Sequence, residues 1–202
     1  MVVEGFVSVH INRRFSRPLA KIFARTPITP NQMSFVSLIA AIGALALFMT
    51  GHNVLAGIAV QSSSVLDGVD GDLARIKKMM SSFGGFFDAI LDRYSDFSIL
   101  VGLTFWALQF EARFNNMVVV VAGLAAIVGS FMISYSRAKA ENSFGKPFPG
   151  LMGSIASRDM RLFIVMIGSI VGHGALTLVL LGAMTNLVVV WRVFAAGKVW
   201  NN

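Results

Sequence analysis

The 202-residue chain has no cysteine, few histidines and little charge. Without cysteine, disulfides are excluded. The three histidines, His10, His52 and His173, are scattered, and two fall at expected outer turns, so no histidine-based site is built. Charged side chains make up 13% of residues, against roughly a quarter in soluble domains. The deficit is concentrated: positions 26–66, 114–136 and 162–191 carry no Asp, Glu, Lys or Arg. A helix needs about 20 apolar residues to cross a hydrocarbon core of about 30 Å, and each stretch is long enough. The chain reads as an all-α polytopic membrane protein. It does not open as a signal peptide, because Glu4, Arg13, Arg14 and Arg17 come early and no apolar core leads to a cleavage-like site. With no linker, repeat or low-complexity tract, residues 1–202 read as one domain.

Residues 8–25 form the first unit. Val9, Ile11, Phe15, Leu19, Ile22 and Phe23 recur near helical spacing, with Arg13, Arg14, Arg17, Lys21 and Arg25 between them. That is the pattern of an amphipathic helix lying on an anionic membrane surface, and Pro18 is expected to break or kink it. Thr29, Pro30 and Gln32 then supply a cap, a first-turn proline and a capping-box partner for the next helix. A transmembrane bundle over residues 31–197 follows, with six expected spans. They cover about 31–50, 54 to beyond 75, 82–110 and 116–140. The 162–191 stretch is too long for one span and breaks at Gly172-His173-Gly174 into a short fifth and a sixth. Trp106, Trp191 and Trp200 suit interfacial anchoring or packing equally.

This layout puts sixteen of the 17 basic residues on one side, Arg113 alone falling on the other. By the positive-inside rule that side is cytoplasmic, and both termini and the active site lie there. The net charge of +7 then calls for no nucleic-acid partner.

Six of the ten acidic residues fall between positions 67 and 96: Asp67, Asp70, Asp72, Asp88, Asp92 and Asp96. Each would cost roughly 2.5–3.5 kcal/mol at the centre of a spanning helix, so a compensating partner is needed. Asp67 and Asp70 sit three apart near the end of the second span, and Asp88 and Asp92 four apart near the start of the third. If those spans are antiparallel neighbours, the pairs converge at one depth. Oxygen-only ligands favour Mg²⁺ or Mn²⁺ over zinc, and two ions would suit displacement at phosphorus. A cation or proton pathway is the alternative, but its carboxylates would be spread over several depths. Purely structural pairing falls short, since Arg75 and Arg93 cannot neutralise six carboxylates.

Asp67, Asp70, Gly71, Ala74, Arg75, Gly84, Asp88 and Asp92 also match every fixed position of D-x₂-D-G-x₂-A-R-x₈-G-x₃-D-x₃-D. In this the chain resembles the CDP-alcohol phosphotransferase family. The resemblance implies transfer of a phosphoryl-alcohol group from a CDP-alcohol to an acceptor alcohol, with CMP released. It implies Asp67, Asp70 and Asp88 as principal metal ligands, with Asp92 at the second metal or acting as general base. Gly71, Ala74 and Gly84 would let the nucleotide approach the backbone, and Arg75 would hold the diphosphate. Asp72, at a variable position, reads as a solvated helix-end charge, and Asp96 as support for the site or a structural pair.

Arg137, Lys139, Arg158 and Arg192 resemble the basic pocket of branches whose acceptor is inositol phosphate. Ordinary positive-inside decoration is the competing reading, least apt for Arg192, which lies inside an apolar run. The stretches at 26–31, 61–67 and 92–96 look most like the branch making di-inositol phosphate phosphate. That branch uses CDP-inositol as donor and often carries a cytidylyltransferase domain ahead of the membrane part; residues 1–202 read as the membrane part alone. A CDP-diacylglycerol or CDP-archaeol donor, giving a phosphoinositide lipid, is the near alternative. The resemblance also implies a homodimer.

Overall fold

The computed structural model describes Val7 and residues 11–111, 113–145 and 156–200, with no side-chain description for Phe144 or residues 198–200. Val9, His10 and Lys146, and the side chains of Lys198 and Trp200, therefore lie outside the described residues. Within them the protein is all helical, with seven helices and no strand. They are α1 (Arg13–Phe23), α2 (Pro30–Met49), α3 (Asn53–Ile76), α4 (Ser82–Phe110), α5 (Asn116–Phe144), α6 (Arg158–Val171) and α7 (Gly174–Trp200).

The boundaries follow from local chemistry. Thr29 accepts from the Gln32 amide at 3.3 Å while the Gln32 side chain accepts from the Thr29 amide at 2.9 Å, and Pro30 opens α2. That capping box satisfies donors a helix start leaves orphaned. The side chains of Ser81, Asn115 and Ser157 each accept from a first-turn amide and so cap α4, α5 and α6. The long apolar stretch breaks at Gly172, whose φ of 74° closes α6 in the left-handed region that glycine enters without strain.

Among the described residues, three helices are long and apolar enough to cross a membrane: α2, residues 116–143 of α5 and residues 174–197 of α7. Helices α3 and α4 are longer than α2 but carry aspartates through one half. Helix α6 has 14 residues.

Helix α2 is the hub of the half that carries the aspartates, packing on both α3 and α4. Helix α4 goes on to α5 and α7, α3 to α1 and α6, and α7 closes against α5 and α6. Small side chains make the approach close: Ala41 and Ala44 of α2 and Ala56 of α3 are fully buried beside Phe48, Val60 and Leu103. In lipid such packing rests on dispersion, because tails are as apolar as leucine. Helices α3 and α4, expected as antiparallel neighbours, meet less directly than that. Both lean on α2, and their aspartate-bearing ends flank a cleft. Mutual repulsion of those carboxylates gives a physical reason for the gap.

Two smaller expectations are narrowed. Helix α1 continues through Pro18, because Ser16 and Ala20 are buried against α3 and this contact offsets the lost hydrogen bond. Of the two readings open for Trp106, packing is the one found, since it is only 6% exposed in the core.

Gly102 fixes how closely α4 meets α2. A Cβ there would stand 2.9 Å from both Leu45 Cα and Phe48 Cδ2. Gly102→Val gains a few tenths of a kcal/mol to about 0.5 in helix propensity but overpacks the contact by about 1–3 kcal/mol. The melting midpoint in detergent should fall; an unchanged or raised midpoint would contradict this packing.

Candidate active site

The cleft between the ends of α3 and α4 has a volume of about 190 Å³ and is floored by the start of α2. Pro30, Asn31 and Ser34 come from α2, Asp70, Gly71, Ala74 and Arg75 from α3, and Gly84 and Asp88 from α4. Met79, Met80 and Ser81 of the connecting loop form its edge. Lys77 holds that loop in place, its Nζ donating to the carbonyls of Thr26 and Ile28 at 2.6 and 2.7 Å.

At the base, carboxylate oxygens of Asp67, Asp70 and Asp88 all lie within 4.8 Å of one another. Two unit charges at that separation repel by about 3.5 kcal/mol at an effective dielectric of 20. Helical geometry holds them there: Asp67 and Asp70 share one face of α3, and the Ser81 cap sets the start of α4 seven residues before Asp88. The buried Asp70 also accepts a hydrogen bond from Ser34 Oγ. Three converging carboxylates with oxygen donors only fit a hard divalent cation such as Mg²⁺ or Mn²⁺.

Asp92 stands one turn further along α4, outside that trio. It meets Asp67 through Arg158, whose Nη1 is 2.7 Å from Asp67 and 2.9 Å from Asp92. Arg93 Nη1 reaches Asp92 as well, at 3.3 Å. The other edge of the Arg158 guanidinium, Nε, donates to Asp96 at 3.0 Å. Asp96, 4% exposed, also accepts from Arg161 at 2.7 Å and from Ser130 at 2.8 Å. Asp96 is thus a buried ion-pair centre joining α4, α5 and α6.

Gly71 faces open space, with no atom within 4 Å of where a Cβ would be, so the cleft wall is bare backbone there. At Gly84 a Cβ would come 3.1 Å from Ser81 Oγ and 3.3 Å from Asn31 Oδ1. Arg75 is largely exposed and pairs with Asp72 at 2.7 Å. Asp72 is not the solvated charge expected: it is mostly buried and also accepts from Ser16 of α1 at 3.2 Å.

The four basic candidates separate. Arg158 lies among the carboxylates, whereas Arg137 is half exposed and pairs with Glu141 at 3.0 Å. Lys139 is exposed on the end of α5. Arg192 is buried, donating to the Ile133 carbonyl at 2.7 Å and to Ser136 at 2.8 Å. Arg137 and Arg161 both lie close enough to Arg192 for their charges to repel it. Of these neighbours, Arg137 is paired with Glu141 and Arg161 with Asp96. Sequence reasoning missed Asn31, Ser34 and the Arg161–Asp96 pair. Asn31, inside the capping box, and Ser34 stand three apart, a signal that the first turn of α2 presents one polar face.

The CDP-alcohol phosphatidyltransferase family matches residues 27–195, most of the chain and the whole cleft. The chain belongs to that family. Among its relatives, the bifunctional IPC transferase and DIPP synthase of Rubrobacter xylanophilus is 37% identical over 193 residues, 95% of this chain. The chain spans only 42% of that relative's length. The archaetidylinositol phosphate synthase of Pyrococcus horikoshii is 32% identical over 93% of this chain and 95% of its own. Crystallised phosphatidylinositol phosphate synthase of Mycobacterium tuberculosis with CDP-DAG bound superposes with a TM-score of 0.76. It is 29% identical, over 91% of this chain and 94% of the other. Its complex with manganese and citrate gives a TM-score of 0.75 at 28% identity, over 89% and 87% of the two chains.

Removing one member of a buried ion-pair network strands the rest. Asp96→Asn leaves two buried guanidinium groups short of a counter-charge, which typically costs 3–5 kcal/mol. A clear drop in the detergent melting midpoint should follow, larger than for Asp72→Asn, whose arginine partner is largely exposed; equal, small shifts would contradict the network.

Proposed function

We propose that this chain catalyses transfer of a phosphoryl-alcohol group from a CDP-alcohol to a second alcohol, releasing CMP. The observation carrying this is the meeting of Asp67, Asp70 and Asp88 within 4.8 Å at the base of a cleft lined by Gly71, Ala74, Arg75 and Gly84. Asp67, Asp70, Asp88 and Asp92 would hold two Mg²⁺ or Mn²⁺ ions. Bound there, such ions supply charge neutralisation for the diphosphate and the departing CMP. The bare backbone at Gly71 admits the nucleotide, and Arg75 at the rim holds a diphosphate oxygen through its guanidinium fork. Asp92 accepts the proton of the acceptor hydroxyl. The freed oxygen forms its bond to the β-phosphorus as the bridging oxygen leaves with CMP.

The acceptor we assign is a phosphorylated polyol of the inositol phosphate class. Arg158 would hold its phosphate beside Asp92, with Arg192, Arg137 and Lys139 completing the basic lining. CDP-inositol is the donor favoured by the 37% identity to the bifunctional relative. A CDP-lipid donor is the second reading, favoured by the bound CDP-DAG of the mycobacterial enzyme and the nearly full-length match to the archaetidylinositol phosphate synthase. In the membrane, α2 to α7 would supply six spans and α1 would lie at the interface. The exposed Arg14, Arg17 and Lys21 of α1 suit an anionic surface. The cleft and both termini would face the cytoplasm, and the active unit would be a homodimer.

The deciding assay is CMP release by purified protein with Mg²⁺ or Mn²⁺, offering CDP-inositol or CDP-diacylglycerol, each with and without inositol phosphate. Release that requires inositol phosphate is expected, and the active donor separates the two readings; no release from either donor would refute the assignment. Asp92→Asn should lower the rate by about 10²–10⁴-fold, as loss of a general base does, while Mn²⁺ binding at the Asp67, Asp70 and Asp88 trio persists. Near-normal turnover in that variant would remove Asp92 from the role of base.

A further inference from the structure

A second buried polar cluster lies on the far side of Arg158, where α1, α3 and α6 meet. Asn12, at the start of α1, is 2% exposed and uses its whole amide. One Nδ2 hydrogen goes to Ser64 Oγ at 2.9 Å and the other to Asp159 Oδ1 at 2.8 Å, while Oδ1 accepts from Gln61 Nε2 at 2.7 Å. Ser64 Oγ passes its own hydrogen to the same Asp159 oxygen at 3.2 Å. Asp159 also stands close enough to Asp67 for the two carboxylates to repel. The donors from Asn12 and Ser64 therefore hold in place a charge that would otherwise be driven off. Asp159 follows Arg158 directly, so fixing one fixes the turn of α6 that carries the other.

A cluster of this kind costs more to bury than apolar side chains of similar volume, and what it provides is one defined arrangement. Arg158 needs such definition. Its contacts at 2.7 Å to Asp67, 2.9 Å to Asp92 and 3.0 Å to Asp96 leave little tolerance, and a displacement of about 1 Å would break them.

We propose that Asn12 is a positioning residue for the acceptor site: through Asp159 it fixes the turn of α6 from which Arg158 reaches Asp67 and Asp92. This rests on the acceptor-binding role given to Arg158 above. It makes the short helix ahead of the bundle a working part of the site, because the residue that opens α1 sets the stance of a cation on α6.

Asn12→Asp tests it by setting a second carboxylate against Asp159. The double variant Asn12→Asp/Asp159→Asn restores one amide and one carboxylate with their places exchanged. Initial rates of CMP release are measured on the solubilised full chain, varying inositol phosphate at saturating donor and then the reverse. For Asn12→Asp the acceptor KM should rise about tenfold, as when an outer-sphere partner is lost, with donor KM and kcat within about twofold of wild type. The double variant should return the acceptor KM to within about threefold of wild type. Should Asn12→Asp not fold, Ser64→Ala removes one donor to Asp159 and should raise the acceptor KM alone. An unchanged acceptor KM, a parallel loss in donor KM and kcat, or no recovery in the double variant would overturn the proposal. Wild-type protein releasing no CMP would instead overturn the reading on which it rests.

Discussion

Carboxylates crowded into a space of low polarity are the constraint to which the rest of the molecule answers. Asp67, Asp70 and Asp88 meet within 4.8 Å, and Asp92 and Asp96 follow at one-turn intervals along α4. Left alone, such a group would force its helices apart, since each close pair repels by several kcal/mol. The protein offsets part of this with Arg158 and Arg161, the first touching three of the five carboxylates and the second anchoring the deepest. At the cleft base, where among the described residues only Asp67 of the trio has an arginine partner, the remaining charge suits divalent cations.

The helix packing serves that arrangement. Helix α2 backs both α3 and α4, so their polar ends can stand apart while their apolar halves stay joined. Small residues at Ala41, Ala44 and Gly102 let the backbones approach closely beneath the cleft. Above it, Lys77 ties the connecting loop to the segment before α2, and Ser34 of α2 reaches Asp70 directly. Helix α2 thus supplies both the fulcrum and one wall.

Much of this was legible in the sequence because the signals are local. The cap at Thr29, the glycine stop at Gly172 and the spacing of Asp67, Asp70, Gly71, Gly84 and Asp88 depend on residues a few positions apart. What stayed hidden depends on pairing across long separations. Nothing near Arg158 in the chain announces Asp67, Asp92 and Asp96 as its partners, more than sixty residues away. Asp72 looked like a surface charge because its second partner, Ser16, lies 56 positions earlier. The same holds for Asn12, a polar residue at the head of a basic amphipathic helix whose burial only the tertiary contact with α3 and α6 reveals. At Pro18 the break that its local rule allowed does not occur, because packing against α3 holds the helix together.

The most direct test of the central claim is Mn²⁺ titration of the detergent-purified chain, followed by electron paramagnetic resonance without any substrate. The account predicts two Mn²⁺ ions per chain with spin–spin coupling between them, and loss of that coupled signal in Asp70→Asn and Asp88→Asn. No stoichiometric binding, or binding that survives in both variants, would contradict the view that these carboxylates are gathered to hold metal.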